Sequence, residues 1–304
     1  MTGPQWSSRS LGSRFKHEFF YRLIRHVGAW AAYPLLYAVV LSYSLRPSVY
    51  RRSRPYLSRR FPGSSGVALW RKAFRLNLSF GLVLLERAVM GITGRMEFAH
   101  PENGGEAVKK ILAEGRGLVA LTAHVGAWQT GLGWLAGVER PVNIAQRRQD
   151  EDNDRHYFEH RPGAEAPKII NLSEAAPALA AMAAALLAGE VVAMMGDRIW
   201  QREALTLKAS LMGGPIMLPG APFYLAAKTG APLAVVFTRR AGPSRVEGRV
   251  WKIIRPPQDG SAAPESLAPL AEAFAACLEE YAAAEPYQFF NFYDMWNLGE
   301  NHEH

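Results

Sequence analysis

The chain has 304 residues, 49% hydrophobic and 20% charged, a composition with room for one large globular domain or two small ones. A mean hydropathy of −0.09 argues against a polytopic membrane protein, and a single cysteine, Cys277, excludes a disulfide framework or a thiolate metal cluster within one chain and points to a reducing compartment. The net charge of +8 raises nucleic acid as a partner, so the placement of the charge decides what it means.

Residues 1–99 carry 16 Lys/Arg against 3 Asp/Glu, which leaves the remaining 205 residues with a net charge of −5. Basic character therefore belongs to the N-terminal third alone. Within it, His26 to Leu45 (HVGAWAAYPLLYAVVLSYSL) is an apolar run between Arg22/Arg25 and the cluster Arg46, Arg51, Arg52, Arg54, Arg59 and Arg60. Its length approaches a bilayer span, but Pro34 interrupts it and both flanks are positive, so an anchor lying in the interface fits at least as well. Trp30, Tyr33, Tyr37 and Tyr43 suit the headgroup level, and the arginines suit anionic lipid on a cytoplasmic leaflet. Basic residues that flank an apolar anchor, above an acidic remainder, disfavour nucleic acid. The alternative is a buried core helix followed by a solvated basic loop. The late start of the run, with no small-x-small cleavage site, argues against a signal peptide. A second apolar stretch, Val67 to Phe98, has helical spacing and Arg71, Lys72 and Arg75 near its start; it either extends the membrane-facing surface or roofs the core.

From residue 100 the texture changes, after turn chemistry in HPENGG. Helix signals cover 102–114, 127–137, 151–160, 173–188, 220–229 and 262–284; β-rich runs cover 117–123, 141–145, 167–171, 190–195, 205–212, 232–238 and 245–254. Strands separated by helices predict an α/β domain over 100–304, behind a membrane-anchoring helical region over 1–99. The sheet is expected to be mixed, because the last runs follow one another through Ala241, Gly242 and Pro243 without a helix between them.

The first chemical signal is LTAHVGAWQ (121–129), an apolar strand that ends in His124 and Gly126 before a helix signal. Carboxyl ends of strands border the ligand crevice in open α/β sheets, and an imidazole there is placed for general-base work. His156-Tyr157-Phe158-Glu159-His160 matches the H-x-x-E-H zinc pattern, but Arg161-Pro162-Gly163 ends that helix at once, so no metal is expected. The glycines of 126–133 lack a following Lys-Ser/Thr and make no phosphate-binding loop. Six aromatics between Tyr287 and Trp296 are expected to pack the core, and part of that segment could border an apolar ligand.

His124 followed by a polar residue five positions on is similar to the His-x4-Asp/Glu motif of glycerolipid and lipid A acyltransferases. In the same order, Gln146-Arg147-Arg148 resembles that family's arginine block, and VAMMGDR (192–198), with Asp197 and Arg198, resembles its buried strand ending in Asp. Met212-Gly213-Gly214-Pro215 through Pro219-Gly220 and the LAAKTGAP run (225–232) resemble its glycine-proline block, and EPYQFFNF (285–292) its lauroyl/myristoyl C-terminal block.

The resemblance implies transfer of a fatty acyl group from an acyl carrier protein or acyl-CoA thioester to a lipid or glycolipid acceptor such as lipid A, at the cytoplasmic face of the inner membrane, without metal or other cofactor. On this reading His124 deprotonates the acceptor hydroxyl, Arg147, Arg148 and Arg198 hold substrate, and backbone N–H groups at Gly213 and Gly214, with Pro219 nearby, border the reacting carbonyl. The departure is Gln129, where the family has a carboxylate: an amide can orient an imidazole but cannot stabilise the imidazolium. Either Asp197 supplies that charge, or the chain is a catalytically idle relative that binds lipid or carrier protein.

Overall fold

The computed structural model describes residues 14–99, 104–130, 138, 140–147, 168–199 and 205–298. Four helices lead the chain: α1 (Arg14–His26), α2 (Ala29–Ser44), α3 (Pro47–Arg60) and α4 (Gly66–Thr93). The apolar run thus folds as a 16-residue helix with Pro34 inside it, short of the 20 or so residues that a bilayer span needs. Phe19, Val27, Trp30, Tyr37, Leu41 and Leu45 are exposed on α1, α2 and the residues flanking α2, Trp30 at 72%.

α4 is the one described helix long and apolar enough to cross a membrane by length and composition, and so a candidate for membrane association. Its packing explains that composition differently. Leu69, Ala73, Leu76, Phe80 and Val83, spaced alternately by four and three residues, face the main core. Leu85, Ala88, Val89 and Ile92 face Tyr21, Ile24 and Ala32 of α1 and α2. With both sides covered, no residue from Asn77 to Ile92 is exposed.

The remainder alternates: β1 (Glu97–Ala99), α5 (Gly104–Ala113), β2 (Leu118–Thr122), β3 (Val142–Gln146), β4 (Lys168–Asn171), α6 (Ala175–Leu187), β5 (Val191–Met195), β6 (Thr206–Leu211), β7 (Gly214–Pro219), α7 (Ala221–Thr229), β8 (Leu233–Gly242), β9 (Arg245–Ile254) and α8 (Pro264–Ala284). Seven strands form one sheet in the order β1-β9-β8-β2-β5-β3-β4. Pairing is parallel except between β8 and β9, so the sheet is mixed as expected, flanked by helices. Alternation within β2 serves two cores: Val119 and Leu121 join α6, α7 and α8, while Leu118 and Ala120 join Val108, Ile111 and Leu112 of α5. A strand apolar on both faces, LVALT, is what a doubly covered parallel sheet requires. The main core also crosses the compositional change near residue 100, since Tyr56, Leu57, Leu69 and Leu76 pack in it with Phe274 and Phe289.

One local expectation is corrected, and two strands, β1 and β7, are added to those expected. The run 205–212 is a strand as expected, β6, and forms an antiparallel hairpin with β7, turned by Met212 (φ 49°) and Gly213 (φ 72°); the glycine and two prolines of GPIMLP mask the second strand in the sequence, and they are tolerated because the two strands form a sheet of their own. The edge strand β1 is too short to read from periodicity. Residues 127–130, expected to open the helix over 127–137, are turn, with the chain after His124 held by the C-terminal segment; residues 131–137 lie outside the described residues.

Candidate active site

β2 and β5 are parallel neighbours with Thr122 opposite Met195, and His124 and Asp197 each follow two residues later. Register alone therefore brings the two side chains to one carboxyl edge of the sheet, where a ligand crevice is expected. Gly196 N–H donates to the Thr122 carbonyl at 2.9 Å and extends the pairing by one step. His124 Nδ1 lies 3.0 and 3.1 Å from the two Asp197 carboxylate oxygens, and the His124 backbone N–H donates to Oδ2 at 3.2 Å. An ionised carboxylate accepts only, so Nδ1 carries the hydrogen and Nε2 the lone pair.

The surroundings keep that state. The imidazole is 18% exposed and the Asp197 carboxylate 4%. Burial, reinforced by the nearby Arg198 guanidinium, pushes the His124 pKa below its ordinary value despite Asp197. Burial pushes Asp197 upward, but attraction to His124 and Arg198 and the hydrogen bonds from His124 outweigh it and hold the carboxyl below its usual range. At neutral pH the site holds a neutral imidazole beside a carboxylate, the arrangement of a general base and its orienting partner. Arg198 lies 3.8 Å (Nε) from Asp197 Oδ2 and donates to the Phe290 carbonyl at 2.7 Å; Tyr293 Oη donates to the Asp197 carbonyl at 3.3 Å.

The C-terminal segment is stitched onto the loop after His124. Phe290 N–H donates to the His124 carbonyl (2.9 Å), Gly126 N–H to the Gln288 carbonyl (2.7 Å), and Val125 pairs with Phe289 as an isolated bridge. Gly126 lets this loop lie close against β8: its φ is +52°, and a Cβ there would collide with the Thr238 carbonyl oxygen. One side of the imidazole is an aromatic wall. Trp128 lies 5.7 Å from it, Phe80 stacks on Trp128 at 6.0 Å, and Phe290 meets both, at 5.5 Å from Trp128 and 5.2 Å from Phe80.

Among the described residues no hydrogen bond joins Gln129 to His124. Gln129 Oε1 accepts from the buried Arg87 guanidinium of α4, and Asp197 is the one side-chain partner of Nδ1 among the described residues. Arg147 directly follows β3, half-buried on the same sheet edge, while Arg148, His156 and His160 lie outside the described residues. Gly213, Gly214 and Pro219 belong to the β6–β7 hairpin. Its tip is anchored by Glu279, which accepts from Met212 N–H at 2.7 Å, and by Trp296 and Arg59, against which Gly214 packs. No hydrogen bond, ion pair or ring contact among the described residues joins those three to His124 or Asp197.

Sequence reasoning missed Arg87, Phe80 and Tyr293. Arg87 had a readable signal: Glu86-Arg87 is an adjacent pair of opposite charges inside an otherwise apolar helical run, and charges are placed so only when they have partners.

A family model for bacterial lipid A biosynthesis acyltransferases matches residues 80–297, more than half of the chain, from the Phe80 turn of α4 to the residue after Trp296. No curated protein matches the chain.

Proposed function

The chain belongs to the bacterial lipid A biosynthesis acyltransferase family and is an acyltransferase acting on lipid; from that premise we propose that His124 is its general base and Asp197 the carboxylate that orients and charges it. The observation that carries this is the His124–Asp197 pair, with Nδ1 within 3.1 Å of both carboxylate oxygens at the ends of adjacent parallel strands. On this reading Nε2 takes the proton of an acceptor hydroxyl as its oxygen attacks the thioester carbonyl. The C–S bond then breaks, the imidazolium returns the proton to the departing thiolate, and the products are an ester and a free thiol. Asp197 stays ionised throughout and stabilises the imidazolium, the task that Gln129 cannot perform. Arg147, directly after β3, and Arg148, next to it in sequence, are assigned to a phosphate of the acceptor or of the donor's pantetheine arm.

The protein is assigned to the cytoplasmic face of the inner membrane. Support comes from the exposed apolar side chains of α1 and α2, flanked by exposed Arg22, Arg25, Arg46, Arg51, Arg52 and Arg54. An acyl carrier protein or acyl-CoA thioester is the donor, and a lipid A-like glycolipid or other envelope lipid the acceptor.

The test is an assay with a labelled acyl thioester, on carrier protein or CoA, and total membrane lipid. His124→Ala should fall about 10²–10⁴-fold, the share of rate that general-base catalysis supplies. Transfer unchanged in that variant would overturn the assignment. No wild-type transfer from either donor, with lipid binding retained, would favour an idle lipid-binding relative, the reading that Gln129 first suggested. Mass spectrometry of lipids from a deletion strain would identify the acceptor.

A further inference from the structure

Glu86 and Arg87 are adjacent on α4 and are 2% and 3% exposed. They point to opposite ends of the loop that follows His124. Arg87 donates to Gln129 Oε1. Seven residues earlier, on the same helical face, Phe80 stacks on Trp128, the neighbour of Gln129, with the rings 10° from parallel.

Glu86 reaches the other end of the loop through two relays. Its Oε1 accepts from Arg240 Nε and from a terminal nitrogen of the same guanidinium, both at 2.8 Å, and from Tyr33 Oη of α2 at 3.1 Å. The Arg240 backbone N–H donates to Gln288 Oε1 at 2.7 Å, and Gln288 Nε2 donates back to the Arg240 carbonyl at 3.2 Å. The Gln288 carbonyl then accepts from Gly126 N–H at 2.7 Å. Gly126 and Gln129 bracket the turn that begins two residues after the proposed base, and both trace back to one step of α4.

We propose that Glu86 and Arg87 are positioning residues for the acyl transfer: a two-pronged clamp through which α4 holds the 126–129 turn, and with it the His124 imidazole, against Asp197. The argument is one of cost and placement. A buried ion pair such as Glu86–Arg240 is a weak source of stability, since apolar side chains of the same volume do as well or better. Arg87, buried as well, directs a charged donor onto the Gln129 amide. What the two charges provide that apolar packing cannot is direction, because each hydrogen bond fixes a donor to one acceptor and so sets the loop's position to a fraction of an ångström. General-base geometry needs that: displacement by about 1 Å costs about 10²-fold in rate. Gln129 thereby has a task in this chain. With Asp197 already on Nδ1, the amide at 129 serves as the handle by which Arg87 grips the turn.

The proposal rests on His124 as base, and the experiment separates the two. Using the full-length protein and the labelled-thioester assay, kcat, KM and the pH profile of kcat/KM are measured for Arg87→Met, Arg87→Lys, Gln129→Leu, the double variant Arg87→Met/Gln129→Leu, Glu86→Gln and His124→Ala. Leu112→Ala, a core truncation on the far face of the sheet, is the control for stability loss alone.

Arg87→Met and Glu86→Gln should each lower kcat about 10²-fold with KM within about twofold. Their acid limb should move to higher pH, because a loosened loop admits water to an imidazole whose pKa burial now holds down. Arg87→Met should cost little more in the Gln129→Leu background, since both changes cut the same bond. Leu112→Ala should move neither kcat nor the limb. If a charge-removing variant does not fold, Arg87→Lys carries the test: it keeps the buried charge but shortens the reach, and should show the same kcat loss and limb shift in milder form. Near-wild-type kcat and an unmoved limb in the folded clamp variants, alongside an inactive His124→Ala, would overturn the clamp and leave the base in place. An active His124→Ala would overturn the base itself, and with it the clamp.

Discussion

Asp197→Asn is the perturbation that bears most directly on the chemistry, because it removes one charge and almost no volume. In the wild type the carboxylate faces Nδ1 with both oxygens, at 3.0 and 3.1 Å, from a nearly buried position. Placing the charge centres about 4 Å apart in an effective dielectric of about 20, the imidazolium formed in the transition state is stabilised by about 4 kcal/mol. At 1.36 kcal/mol per decade this is about 10³ in rate. An asparagine amide that turns its N–H₂ toward Nδ1 would also force the hydrogen onto Nε2, and loss of the base tautomer brings the effect toward the 10⁴ known from the serine-protease template. The expected outcome is therefore a loss of kcat of about 10³–10⁴-fold with lipid binding retained. The residual activity should keep its acid limb at or below the wild-type pH, since the attraction that raises the His124 pKa is gone while the repulsion from Arg198 stays. The assay is labelled acyl transfer to membrane lipid across a pH series. Asp197→Asn within about tenfold of wild type, in a folded protein, would refute the charge-stabilising role, as one decade is far less than a 4 kcal/mol interaction predicts.

Gln129→Glu should fold with activity kept or raised, because the Arg87 guanidinium that holds the amide can hold a carboxylate in the same place, as measured by calorimetry and the same transfer assay. Gly126→Ala should abolish soluble expression or cost several kcal/mol in chemical denaturation, since its Cβ would collide with the Thr238 carbonyl on a backbone at φ +52°. His124 and Asp197 both have folded pKa values below their ordinary ones, so the unfolded chain binds more protons: the His124 contribution is lost as pH falls below about 6.5, and that of Asp197 only below the ordinary carboxylate range. Glu86, raised by burial, acts in the opposite sense above the ordinary carboxylate range, so the measurement is the difference in melting temperature between wild type and His124→Gln, which should shrink as pH falls from about 7 to about 5. Trp30→Asp/Leu41→Asp should reduce flotation with anionic vesicles at unchanged circular dichroism; these exposed positions are a cleaner probe than deleting residues 1–62, which would remove Tyr56 and Leu57 from the core.

Much of this molecule is legible in the sequence because the interactions concerned are local or periodic. The doubly apolar LVALT and VVAMM runs read as strands of a covered sheet, the absence of a helical signal between 238 and 245 read as the antiparallel return of β8 into β9, and the ordered motifs from His124 to the 285–292 block read as the family. His124 and Asp197 were both recognisable, each as the polar residue just beyond an apolar strand. Asp197 could be put forward as the carboxylate that Gln129 is not, but the contact itself was not legible, since 73 residues separate the two and only the register of β2 against β5, a matter of how two distant strands pair, sets Nδ1 on the carboxylate. Gln129 shows the same limit from the other side. By spacing it stands where a carboxylate would serve the imidazole, yet the turn forced by Gly126 and the capture of that loop by Gln288 and Phe290 deliver it to Arg87. The apolar length of α4 left open whether it faced lipid or protein, because hydrophobicity measures only the wish to leave water. Packing against α1 and α2 on one side and the main core on the other decided where it went.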